Sequence, residues 1–338
     1  MSSSHSPYFS AAAITLILAS LQLGQAADIL AYYQNNERAS AAVKTRFESF
    51  NQLAMDTYDV DEKGVISGTT LSEELGVARS KKMLTFATVS NFAKGDFDSG
   101  IAHAVITTPA YTEAFLTGML EKLKAGHYSG INVDFEAIPA KDRDAFSAFI
   151  KTVAAKMRAE GYLTVVSVPA KTEDEPDNSW SGAFDFKAIG SEVDIFQLMT
   201  YDQYGSWGEP GPVAGLEWVE KSVQLAVSLV PAKKISMGIA AFGYDWDLAD
   251  KKKNKQVART EIPGLLEKAG TPHWDAGHSS PFFRYTKDGH RHVVWYEDAR
   301  SLGLKTKLVE KYHLAGVSVY ALGMEDAAFW KAIHSNGL

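Results

Sequence analysis

The segment Ser129-Gly-Ile-Asn-Val-Asp-Phe-Glu136 places the polar side chains of Asn132, Asp134 and Glu136 at alternate positions. In an extended strand, alternate side chains share one side. Ile131, Val133 and Phe135 therefore pack one way and the polar groups face the other. Polar groups that point together into a protein interior are costly unless they bond one another or a ligand. Two carboxyls this close do not both ionise freely, so repulsion raises one of them and the proton belongs to the pair. A carboxylic acid kept protonated near neutral pH can hand its proton to a leaving oxygen. Glu136 is the candidate acid and Asp134 its partner. Such a cluster could instead fix strand register or bind a metal. The histidines nearby lack a ligand spacing such as His-x-x-x-His, so no metal and no cofactor is expected.

These groups need a strand whose C-terminal end opens to a substrate. Short apolar runs at Ile29–Tyr33, Met83–Val89, Gly130–Phe135, Leu163–Val168, Ile195–Tyr201, Ile235–Ile239 and Gly316–Tyr320, with a weak one near Tyr58–Asp61, read as strands. Amphipathic stretches at Tyr111–Ala125, Lys141–Glu160, Leu216–Val230 and Asp298–Tyr312 separate them. Repeated βα units imply a parallel sheet, and at this length the expected fold is an α/β (β/α)8 barrel. Runs apolar on both faces, such as Leu163–Val168, suit strands covered by helices. The interval between strands seven and eight is too long for one helix. It predicts a small β-containing insertion at about residues 244–294, on the rim where barrels of this kind place their sites. No Gly-x-Gly-x-x-Gly follows a strand, which speaks against nucleotide binding.

The chain has 338 residues, of which 46% are hydrophobic and 22% charged, so it can bury a large core without staples. It contains no cysteine, which excludes a thiolate metal site and a cysteine nucleophile. A formal net charge of −7, with only Lys251-Lys252-Lys253 as a basic run, argues against a nucleic-acid partner. Ala11–Leu23 is apolar and uncharged, and Gly24-Gln25-Ala26-Ala27 follows it. This reads as a signal peptide over residues 1–26, with the catalytic domain at 27–338 and the product secreted or periplasmic. No other stretch is apolar enough to span a bilayer, so no stable membrane association is expected.

The acidic segment resembles the Asp-Gly-x-Asp-x-Asp-x-Glu signature of glycoside hydrolase family 18, the chitinase and endo-N-acetylglucosaminidase family. Further similarities follow in order. Gln197–Asp202 resembles the family's Met-x-Tyr-Asp motif, and Gly238–Trp246 its strand-seven segment. Trp295–Ser301 resembles the strand before the last helix, and Gly316–Gly323 strand eight. Asn132, Val168–Lys171, Tyr244–Trp246 and Leu322–Asp326 are similar to the bacterial spore-germination and cortex-lytic glucosaminidase branch.

The resemblance implies a retaining hydrolase of β-1,4-linked N-acetylglucosaminides, in which the substrate's 2-acetamido oxygen is the nucleophile. Glu136 would be the acid and then the base. Asp134 would hold the acetamido N–H and Tyr201 its carbonyl end. Asp202 would contact the sugar above a floor formed partly by Met199. Chitin-type chains, peptidoglycan and related glycans containing N-acetylglucosamine are the expected partners. The competing reading is a lectin on the same barrel, which would bind such chains without cutting them.

Three positions depart from the family pattern. Ser129 and Asn132 replace its first two aspartates, and Asn132 cannot carry the proton that the second one accepts in many members. Tyr320 stands where most members have a tryptophan under the sugar. Asn132 is still expected to contact the substrate, and further candidate substrate contacts are Tyr33, Asn91, Trp180 and Trp246, the last two following strands five and seven.

Overall fold

The computed structural model describes residues 27–335; the expected signal peptide lies outside them. Eight parallel strands close into a barrel: β1 (Asp28–Gln34), β2 (Gln52–Val60), β3 (Leu84–Ser90), β4 (Gly130–Asp134), β5 (Leu163–Pro169), β6 (Ile195–Met199), β7 (Ile235–Ala240) and β8 (Gly316–Tyr320). Each pairs with the next in sequence, and β1 closes the ring by pairing with both β2 and β8. The fold is therefore the (β/α)8 barrel expected from the alternation of strands and helices.

The second strand runs from Gln52, well upstream of the expected Tyr58–Asp61. Asp56 and Thr57 interrupt its apolar run, and a β-bulge lies between Asp56 and Tyr58. A bulge adds a residue and breaks the period of two, so the alternation was readable only beyond it.

The helices α1 (Glu37–Thr45), α2 (Ser72–Ser80), α3 (Ser99–Thr107), α4 (Pro109–Gly126), α5 (Arg143–Ala159), α6 (Phe186–Glu192), α7 (Leu216–Leu229), α8 (Ile262–Ala269), α9 (Ala299–Lys311) and α10 (Ala327–His334) complete the order. Carboxylate and amide caps start several of them. Asp98 accepts from Gly100 and Ile101, Asp185 from Ala188, Asp298 from Ser301 and Asp326 from Phe329. Each such cap is worth about 1 kcal/mol. Among the described residues, no helix is long and apolar enough to cross a membrane.

Two apolar layers hold β4 in place. Outside the barrel, Ile131, Val133 and Phe135 are fully buried against the helices. Phe135 stacks on Phe149 of α5 at 5.6 Å and meets Phe115 of α4 edge-on at 5.9 Å. Burying a side chain of this size contributes roughly 1.5–3 kcal/mol, and this packing fixes the direction of the acidic face. Inside, Leu30, Tyr32, Ala54, Phe86 and Val165 plug the barrel beneath the site.

The insertion is a five-stranded antiparallel sheet between β7 and β8. Its strands are Phe242–Asp247, Lys255–Ala258, His273–Asp275, Ser280–Lys287 and His290–Trp295. Helix α8 packs on one face through Ile262. The segment read as the strand before the last helix ends this sheet at Trp295, and Asp298 then caps α9. Because the first insertion strand begins only at Phe242, just after β7, it carries Phe242 and Tyr244 directly to the barrel mouth.

Candidate active site

Asn132, Asp134 and Glu136 lie at the C-terminal end of β4, but at different depths. Asn132 is fully buried. Its amide donates to the Tyr32 hydroxyl at 3.2 Å and to Thr88 at 3.3 Å, and its oxygen accepts from Ser167 at 3.3 Å. Tyr32 and Ser167 also bond each other at 3.2 Å. This ring of neutral groups is the floor of the well. The expected sugar contact at Asn132 is therefore corrected: its hydrogen bonds are spent within the barrel.

Ser129, the other departure in the segment, lies at the opposite end of β4. Its hydroxyl accepts from the Thr85 amide at 3.1 Å, which ties β4 to β3 away from the chemistry.

Above the floor, Asp134 has one buried carboxyl oxygen without a hydrogen-bond partner. Burial raises its pKa, while the Ser167 hydroxyl works the other way. Glu136 is pushed well above the ordinary carboxylate range, first by burial and then by Asp134, Asp202, Asp56 and Asp96. Among the described residues no cation offsets these charges, so Glu136 is biased toward its protonated form.

The Glu136 main chain is clamped by Asn91. The Asn91 amide donates to the Glu136 carbonyl at 2.9 Å, and its oxygen accepts the Glu136 N–H at 2.9 Å. Ala137, the next residue, takes a left-handed φ of +53°, a conformation that costs an L-residue roughly 1–2 kcal/mol. Asn91 is fully buried. It fixes the Glu136 main chain and, being buried, is not the substrate contact expected from the sequence.

The opposite wall comes from β6, β7, β8 and the insertion. Tyr201 is buried, which holds its hydroxyl protonated far above the usual phenol range; neighbouring Tyr32 and Asp134 add to this. Tyr320 leans over the well between Tyr201 and Tyr32, with ring centroids at 5.8 Å and 6.0 Å. Gln34 donates to its hydroxyl at 2.5 Å. Met199 and Tyr320 are half-buried and pack on the cluster of Tyr201, Phe242 and Tyr244. Asp202, at a left-handed φ of +61°, accepts from the Tyr244 hydroxyl at 2.8 Å. Burial raises it to about 6 against the effect of that bond.

Two aromatic expectations are corrected. Tyr33 faces the helices, in the outer core beside Glu74; its neighbour Tyr32 enters the barrel. Every residue from Ile29 to Tyr33 is apolar or aromatic, so the sequence carries no polar mark of which parity points inward. Trp246 is buried, and its indole N–H is shared by the Gly205 and Gly208 carbonyls at 3.2 Å each. It anchors the loop after β6 and offers no face to a sugar. Trp180 and Trp207, by contrast, are exposed on the loops after β5 and β6.

Sequence reasoning missed Asp56, Tyr32, Ser167 and Tyr244. Asp56 lay in the interrupted second strand, and the other three are unremarkable until the barrel closes.

Residues 94–325 match the family described as Glycosyl hydrolases family 18. The chain is 38% identical to an uncharacterized glycosylase, YvbX, of Bacillus subtilis (strain 168) over 328 residues, 96% of this chain and 95% of that one. It is 26% identical to the cortical fragment-lytic enzyme of Bacillus cereus over 290 residues, 84% of this chain and 67% of that protein. Among solved structures, a chitinase from Chromobacterium violaceum ATCC 12472 superimposes with a TM-score of 0.87 at 37% identity, covering 92% of this chain and 99% of that one. A class V chitinase from Pseudomonas fluorescens Pf-5 gives 0.84 at 29% identity, with the same coverage.

Proposed function

We propose that this chain, which belongs to glycosyl hydrolase family 18 and is a glycosidase, cleaves β-1,4-linked N-acetylglucosaminides with retention of configuration. The observation that carries this reading is Glu136, buried among Asp134, Asp202, Asp56 and Asp96 and so biased toward its protonated form, at the mouth of a well whose other groups are acceptors, hydroxyls and aromatic faces. A sugar stacked on Tyr320 would bring its glycosidic oxygen to Glu136 and its acetamido group between Asp134 and Tyr201.

Glu136 gives its proton to the leaving oxygen as the C1–O bond breaks. The acetamido carbonyl oxygen forms a bond to C1, and the resulting oxazolinium ion is held by the Asp134 carboxylate at its N–H. Tyr201, protonated at every working pH, donates to the acetamido oxygen end. The Glu136 carboxylate then takes a proton from water, which attacks C1 and opens the ring. Both protons are accounted for, and Glu136 ends as it began.

The chitinase and cortex-lytic relatives support chitin-type chains and peptidoglycan as substrate classes. Export to the periplasm or outside the cell is part of the proposal; it is motivated by the apolar Ala11–Leu23 run and tested by sequencing the N-terminus of protein recovered from the medium. The activity is tested by mass spectrometry of products from chitin oligomers, peptidoglycan and a high-mannose glycopeptide. Wild type is expected to shorten at least one of them and Glu136→Gln none. Full turnover by Glu136→Gln would sink the mechanism.

A further inference from the structure

The well contains a carboxyl that this mechanism leaves unused. Leu53 and Met55 of β2 face the helices and Ala54 the barrel interior, so alternation turns Asp56 inward. Asp56 stands in register with Gln34 of β1 and Thr88 of β3, and Thr88 with Asn132 of β4. The bulge after it returns Tyr58 to the outer core and leaves Asp59 within 2.7 Å of the Ser90 hydroxyl, which donates to it.

Among the described residues none hydrogen-bonds the Asp56 carboxyl. The titratable groups that face it are Tyr32 of β1, Asp59 of β2, Asp134 and Glu136 of β4, and Tyr320 of β8. Strand β3 contributes only the hydroxyls of Thr88 and Ser90. No cation is among these groups. Asn132, which lies between β3 and β5 at the floor, is a neutral amide with its bonds already made.

We propose that Asp56 is a positioning residue for the proton of Glu136, and that it does the charge balancing that a neutral Asn132 leaves open. This rests on Glu136 being the acid. Burial, Asp134 and Asp59 raise the Asp56 carboxyl to about 7, so it is neutral in acid and charged in mild alkali. As the pH rises, Asp56 releases one proton to solvent. The carboxylate left behind opposes loss of the Glu136 proton, because it disfavours a second charge across the well. Glu136 thereby stays protonated further into the alkaline range than its other neighbours alone would hold it. Each step moves a single proton to water and breaks no other bond.

The test is the pH dependence of kcat/KM for wild type, Asp56→Asn and Asp56→Glu on a chitin oligomer. Asparagine imitates the protonated carboxyl, so the loss in Asp56→Asn is small near pH 5 and grows with pH. Its alkaline limb moves toward acid by about half a unit or more. Asp56→Glu, which keeps a carboxyl, retains an alkaline limb near that of wild type. If Asp56→Asn does not fold, judged by circular dichroism, Asp56→Ser gives the same readout. An unmoved limb, or a loss of equal size at every pH, would overturn the assignment and mark Asp56 as structural. A wild type without turnover, or a fully active Glu136→Gln, would instead remove the mechanism beneath it. Active wild type, dead Glu136→Gln and an unmoved Asp56→Asn limb would refute the role of Asp56 alone.

Discussion

Asp134 and Glu136 on β4, and Asp245 and Asp247 on the first insertion strand, are both carboxyl pairs at alternate positions of a strand, and all four are enclosed by protein. Their surroundings differ. Asp245 accepts from the Tyr285 hydroxyl at 2.6 Å and lies 3.0 Å from His292. Asp247 meets His290 at 2.7 Å and the amides of Ala249 and Asp250 at 2.9 Å and 3.1 Å. Burial would raise Asp247, but His290 and these amides hold it down to about 2. Among the described residues the β4 pair has no amide or imidazole donor aimed at its carboxyls; the Ser167 hydroxyl alone opposes burial at Asp134, further carboxyls crowd Glu136, and both members are raised. Proximity of two acids does not by itself make a proton donor. Burial with few donors is what favours the protonated form, and the barrel mouth provides that where the insertion sheet does not.

The largest expected break in this comparison is chemical. Glu136→Gln removes the proton donor and should lower kcat on a chitin oligomer by roughly 10²–10⁴-fold with the fold unchanged. Asp134→Asn leaves the acid but loses the carboxylate opposite the acetamido N–H, and kcat should fall by about 10²–10³-fold. Steady-state kinetics on both variants measures this, and a loss below tenfold in either would deny the β4 pair its special standing.

On the insertion side the effect is on stability. Asp245→Ala strands Tyr285 and His292 in a buried site and should cost about 3 kcal/mol in denaturant unfolding. A cost within 0.5 kcal/mol, roughly the surface-mutation level, would show that the paired carboxylates are not structural.

The smallest effect is one of sign. Asp247 titrates below its ordinary value, so its contribution to stability is present above about pH 4 and fades as pH falls through about 2. Asp56 and Asp202 titrate above theirs, at about 7 and 6, so their contribution is complete below about pH 4 and is lost as pH rises through those values. Asp56→Asn should therefore melt about 2–4 °C above wild type at pH 8 and alongside it at pH 4. A melting difference that does not change between these pH values would contradict the raised Asp56.

Much of this was legible in the chain. The alternation of Ile131, Val133 and Phe135 with Asn132, Asp134 and Glu136 is local, and it located the carboxyl cluster and the barrel strand that presents it. Strands apolar on both faces identified a helix-covered sheet for the same reason. What was not legible depends on distant partners. The parity of Tyr32 against Tyr33 is decided by Ser167 and Asn132, more than a hundred residues away in the case of Ser167. Asn91 reads as a polar substrate contact just after the third strand until it meets the Glu136 main chain. Trp246 looked like a sugar platform because its indole partners, Gly205 and Gly208, lie on another loop. Asp56 was hidden by the bulge that positions it.

The most direct measurement of the central claim follows the first product of cleavage by proton NMR, using two matched oligomers that differ only at the sugar whose C1 is attacked. One carries N-acetylglucosamine there and the other glucosamine. With Glu136 as the acid and the substrate's own acetamido oxygen as nucleophile, the first oligomer yields a new reducing end that is initially β, and the second is not cut. An initial α anomer, or equal cleavage of both oligomers, would contradict it.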